Sequence, residues 1–116
     1  VILFEETVMA KKGSFTDEHI GELAQAFRLL SDETRLKIVF HLANEEQNVG
    51  NLCKILGLAQ PTVSHHLGLL RMGRLILNRR NGKQVIYSLN TDMLNSLAGR
   101  LASSVPALAG AVKAKK

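Results

Sequence analysis

Cysteine is nearly absent from this chain: Cys53 is the single one among 116 residues. One thiol excludes an internal disulfide and any multi-cysteine zinc finger. Long apolar runs are missing too. No stretch of about eighteen apolar residues exists, which excludes a helix that spans a bilayer. The opening Val1-Ile2-Leu3-Phe4 is apolar, but Glu5 and Glu6 follow and no basic stretch precedes it. That is not the pattern of a secretory signal. With one cysteine and no such signal, the expected setting is the reducing cytoplasm, away from any membrane. Wholesale disorder is excluded by a composition of 46% hydrophobic and 22% charged residues. No internal repeat is visible.

The most informative absence is of acid. Between Glu46 and Asp92 there is no aspartate or glutamate. The same stretch holds Lys54, Arg71, Arg74, Arg79, Arg80 and Lys83, so it carries +6 of a net +5, and the remainder carries −1. A basic segment without acids attracts a polyanion, although charge alone is equally compatible with a solvated face. What the segment folds into decides between them.

Periodicity predicts mostly helices. Thr16 or Asp17 can cap a first helix bearing Ile20, Leu23, Ala24, Phe27 and Leu30 at helical spacing. Ser31-Asp32 breaks it, and Asp32 is expected to cap a second helix. That helix, with Leu36, Ile38, Val39, Phe40 and Leu42, is dense enough in apolar residues to be central. Residues 44–48 read as a polar turn. A third helix carries Val49, Leu52, Cys53 and Leu56, with Gly57 as its left-handed terminator. Pro61 suits the first turn of a fourth helix bearing Val63, Leu67, Leu70 and Met72, closed by Gly73. The period then becomes extended. Two strands, 75–80 and 83–89, are joined by Asn81-Gly82, a strong hairpin signal. Asn90-Thr91-Asp92 can cap a last helix with Met93, Leu94, Leu97, Leu101 and Val105, ended by Pro106. The expected fold is mainly α with a β-hairpin: about five helices and a two-stranded wing. The expected organisation is an N-terminal extension over 1–15, one folded domain over 16–105, and an Ala/Lys-rich tail over 106–116.

Two apolar-striped helices joined by a short glycine turn are a helix-turn-helix, whose second helix enters a DNA major groove. Its opening turns offer Gln60, Thr62, Ser64 and His65, short or amide-like groups able to read base edges. His66 is expected at the DNA backbone or packed behind the helix. The hairpin carries Arg79, Arg80, Asn81 and Lys83, suited to phosphates or a minor groove. Helix-turn-helix plus basic hairpin is a winged helix. A winged helix that binds a protein or a small molecule in place of an operator is the alternative that fold alone leaves open.

At these residues the chain resembles the ArsR/SmtB family of bacterial winged-helix repressors. The stretch from Phe27 to Ile38 resembles the family's "ALSDPTRLRIL" signature, with Glu33 for the usual proline. Leu58 to Leu67 resembles its recognition helix, and Arg80 to Leu89 its wing. The resemblance implies a homodimer built on the first and last helices, here through Ile20, Leu23, Phe27, Leu94, Leu97 and Leu101. It also implies repression at a palindromic double-stranded operator, relieved by an inducer whose identity the chain does not reveal. The family's metal sites do not carry over. In the third-helix motif, "ELCVCDL", Asn48 and Gly50 fill the two thiol positions. The last-helix site, normally begun by Asp-x-His, begins here with Thr91-Asp92-Met93, and no histidine or acid follows Asp92. No metal and no cofactor is expected. Cys53 is expected in the core, with a single-thiol redox sensor as the alternative, His41 and His19 as packing or surface residues, and Asp32 as a cap. Arg35 has two readings, held by a nearby acid or reaching a phosphate. An enzyme would need a nucleophile with its base, paired carboxylates, a metal or a phosphate-cradling loop. None is present, and Ser64-His65 lacks a third orienting group.

Overall fold

The computed structural model describes residues 15–110. Most of the expected N-terminal extension and the end of the tail lie outside that range. The elements run α1 (Asp17–Leu30), α2 (Glu33–Asn44), β1 (Gln47–Asn48), α3 (Val49–Leu56), α4 (Gln60–Met72), β2 (Ile76–Asn81), β3 (Gln84–Leu89) and α5 (Thr91–Ser104), followed by a 3₁₀ turn at Pro106–Leu108. The five helices and the hairpin are the expected ones. Among the described residues no helix is long and apolar enough to cross a membrane.

Two compact units share the chain. One is Gln25–Thr91. Its core is Ile38, Leu52, Val63, Leu67, Leu70, Leu75 and Ile76, all essentially closed to solvent. α2 is central as expected, with Ile38, Val39 and Leu42 buried, but Phe40 lies 62% exposed on its outer side. Val63, Leu67 and Leu70 at i, i+4 and i+7 on α4, and Val49, Leu52 and Leu56 on α3, explain why the inner faces are fixed: each helix has one stripe to hide. Gly57 takes φ +68° at the end of α3, and its N–H returns to the Cys53 carbonyl, so three residues, 57–59, suffice to reach α4. Gly73 follows α4 with an ordinary φ, and a Cβ there would press on the end of the Leu29 side chain. The left-handed residue at this corner is Arg74, φ +62°, whose carbonyl accepts from the Asn90 side chain at 2.9 Å.

Two expectations about the sheet are corrected. Residues 47 and 48, expected in a turn, form β1 and pair with β3, giving a three-stranded antiparallel sheet in the order β1-β3-β2. Gln47 is buried there, and its ladder to Tyr87 supplies the backbone partners that a buried segment requires. The hairpin turn is Gly82-Lys83, one residue later than expected, because Asn81 pairs with Gln84 as the last rung. Only Gly82 has positive φ, the type II′ pattern, which wants glycine first.

The second unit comprises, within the described range, residues 15–24 and 92–110. The Thr16 hydroxyl accepts from the His19 N–H at 3.1 Å, capping α1. Leu23 and Leu97 are buried, and Arg100 is paired with Glu22. α5 stops at Ser104, and Pro106 opens the 3₁₀ turn, so the expected tail begins with ordered residues.

Candidate nucleic-acid interface

α4 is amphipathic in a way that leaves one face for a ligand. Val63, Leu67 and Leu70 are fully buried. Gln60, Thr62, Ser64 and His65 are all exposed. Sequence reasoning grouped these four, and the fold puts all of them on the outer side of the first turns of α4. Its buried stripe fixes the helix rotation and therefore which polar groups face out.

Of the two places expected for His66, the DNA backbone or behind the helix, it takes the second within this chain. Its side chain is only 15% exposed and turns back toward α2. There its Nδ1 lies 3.2 Å from Arg35 Nη1 and 3.9 Å from the Asp32 carboxylate. A guanidinium can only donate, so in this contact Nδ1 is the acceptor. Arg35 also donates from Nε to the Leu29 carbonyl at 2.7 Å. Arg35 is half-buried, and the partners its guanidinium has within the chain are a carbonyl and an imidazole, with the Asp32 carboxylate close enough to feel its charge. One arginine thereby ties the end of α1, the start of α2 and the recognition helix together. Asp32 does cap α2, accepting from the Arg35 N–H at 3.0 Å. That bond, aided by the charge of Arg35 and opposed by desolvation, holds the Asp32 carboxyl below the usual carboxylate range.

The wing divides its cations between two faces. Side chains alternate along β2, so Arg79 and Arg80 point to opposite sides of the ribbon. Arg79 donates to Glu46 at 2.5 Å, an exposed ion pair that joins the wing to the connection before β1. Arg80, Asn81 and Lys83 are exposed, with Lys83 at the tip. Of the three wing cations expected at the DNA, Arg79 therefore has a carboxylate partner within the protein. Sequence reasoning missed that pair, since Glu46 and Arg79 stand 33 residues apart.

Cys53, expected in the core, is half-buried. His65 and His66 diverge, with ring centroids 5.6 Å apart and planes at 59°. Among the described residues no three His, Cys, Asp or Glu side chains are grouped so as to hold a metal ion. Asn48, at one of the two thiol positions, caps α3 by accepting from the Asn51 N–H at 2.7 Å.

Residues 32–76 match the family described as "Bacterial regulatory protein, arsR family". The chain is similar to the HTH-type transcriptional regulator KmtR of Mycobacterium tuberculosis, 36% identical over 81 residues. That alignment covers 70% of this chain but 62% of the mycobacterial protein, under two thirds of its length. The biofilm growth-associated repressor of Xylella fastidiosa is 38% identical over 85 residues, covering 73% of this chain and 75% of that one. Among solved structures, the transcriptional repressor BigR from Xylella fastidiosa superposes with a TM-score of 0.62 at 34% identity, over 77% of this chain and 91% of the other.

Proposed function

Because this chain belongs to the ArsR family of bacterial regulatory proteins, a class of regulators and not of enzymes, we propose that it is a DNA-binding transcriptional repressor. It acts in the cytoplasm as a homodimer on a palindromic double-stranded operator. The observation that carries this reading is the exposure of Gln60, Thr62, Ser64 and His65 in the first turns of a helix whose Val63, Leu67 and Leu70 are fully buried. Two-fold symmetry places two such helices in successive major grooves, roughly 34 Å apart. Arg80 and Lys83 engage phosphates or the adjacent minor groove.

The regulator does not sense metal through the two family sites. Asn48 and Gly50 offer no thiolate, and Thr91-Asp92-Met93 offers no histidine. Release therefore depends on something other than zinc-type ligation there.

Selection of random duplex DNA by the purified protein, at near-physiological salt, tests the whole reading. The expected outcome is a two-fold palindrome with half-sites about one helical turn apart. Weak, salt-sensitive binding with no enriched sequence would overturn it. On the selected site, Ser64→Ala or Thr62→Ala reduces discrimination between sequences more than it reduces affinity for random duplex. Arg80→Ala weakens all duplexes and lowers the salt slope by about one. Zinc and thiol oxidants leave affinity for the selected site unchanged.

A further inference from the structure

An open cleft of about 390 Å³ lies between the start of α3, the start of α4 and the wing. Asn48, Val49, Gly50, Gln60, Gln84 and Val85 line it. Three of the six are carboxamides and none is charged, although the surrounding segment is the basic one. Val49 and Val85 are half-buried walls, whereas Gln60 and Gln84 are exposed. Asn48 already spends its carbonyl oxygen on the Asn51 N–H, so the part it has to offer is its NH₂ group. Gln60 is the first residue of the recognition helix, and Gln84 sits opposite Asn81 on the rung next to the turn.

The position of the cleft limits what can fill it. A recognition helix in a major groove and a wing at the next minor groove are separated by one strand of phosphodiester backbone. That strand has to pass between the two elements, which is where this cleft opens. Phosphate oxygens only accept hydrogen bonds, and side-chain amides commonly donate to them. Resting on the duplex-binding reading above, we propose that the cleft seats a backbone phosphodiester of the bound duplex through the NH₂ groups of Asn48, Gln60 and Gln84. Gln60 then contacts backbone and leaves base reading to Thr62, Ser64 and His65. The seat has a distinctive physical signature. Neutral donors hold a phosphate without displacing a counterion in the way a lysine or arginine does. The seat contributes affinity and register but nothing to the salt slope.

The test measures affinity of the full chain for its selected duplex and for a random duplex across a range of salt. Gln84→Ala binds both about three- to tenfold more weakly, as expected for one hydrogen bond, with the salt slope unchanged. Gln84→Lys binds more tightly at low salt, with a slope steeper by about 0.9. Asn48→Asp keeps the oxygen that caps α3 but replaces the NH₂ with an anionic oxygen, so it weakens both duplexes while thermal unfolding stays near native. Neutral methylphosphonate linkages, placed one at a time along the selected site, locate one linkage per half-site at which Gln84→Ala has no further effect. Native affinity for both duplexes in Gln84→Ala and Asn48→Asp would overturn the seat and leave the repressor reading standing. Loss of sequence preference alone in Gln84→Ala would also overturn it. A native chain that binds no duplex would sink both.

Discussion

Asp32 shows how much one side chain can be asked to do. It stops α1 from continuing, accepts the Arg35 N–H at the start of α2, and lies 3.9 Å from His66 on the recognition helix. Asp32→Ala removes the cap and is expected to cost about 1 kcal/mol. Asp32→Asn keeps an acceptor and so the cap, losing at neutral pH only what the carboxylate's charge adds. Acid separates the two further. The carboxyl is held below its ordinary value in the folded chain, so the unfolded chain takes up the proton first as pH falls. The associated stability is fully present above the unfolded value of about 3.9 and is lost as pH drops through the lower folded value. Urea unfolding at pH 6 and pH 3 should show that component in the native chain and not in Asp32→Asn. An equal loss in both would place the acid sensitivity in other carboxylates.

The wing has the same division of labour between fold and ligand at the scale of an element. Arg79 fastens it to Glu46 while Arg80 and Lys83 remain exposed. Exposed pairs of this kind contribute at most about 1 kcal/mol. Glu46→Gln is therefore expected to leave thermal unfolding nearly unchanged. It releases one cation beside the interface, so the salt slope of duplex binding steepens, by up to about one. An unchanged slope would mean that Arg79 stays turned away from DNA even when free. The helices were legible because their stripes repeat at 3.6 residues, and the recognition face because Val63, Leu67 and Leu70 fix its rotation. What escaped sequence reasoning depends on contacts distant in the chain. β1 is two polar residues whose strand character comes only from pairing with β3. The turn moved by one residue because hairpin register is settled by the rungs on both sides. The inward turn of His66 follows from Arg35, 31 positions away.

For the molecule as a whole the open question is how two chains would associate, and burial within one chain already sorts the six apolar residues expected there. Leu23 and Leu97 are 7% and 8% exposed, so most of their surface is already covered within one chain. Ile20 and Phe27 are 46% and 52% exposed. Seven residues apart, they share one stripe of α1, and Leu23 sits to the inner side of it. Leu94 and Leu101 are half-buried on α5. The proposed dimer therefore rests chiefly on the exposed Ile20 and Phe27, with the half-buried Leu94 and Leu101 contributing less. Phe27→Arg should convert the dimer to a folded monomer in sedimentation velocity. It should also abolish the dependence of the unfolding midpoint on protein concentration, which an associating chain must show. Affinity for the two-half-site operator then falls toward that for a single half-site, because the second contact is no longer tethered. Leu23→Ala should behave differently, lowering stability by about 2–5 kcal/mol without first producing a native-like monomer. If Phe27→Arg stays dimeric and binds its operator unchanged, the interface lies elsewhere, and the exposed stripe on α1 has another partner.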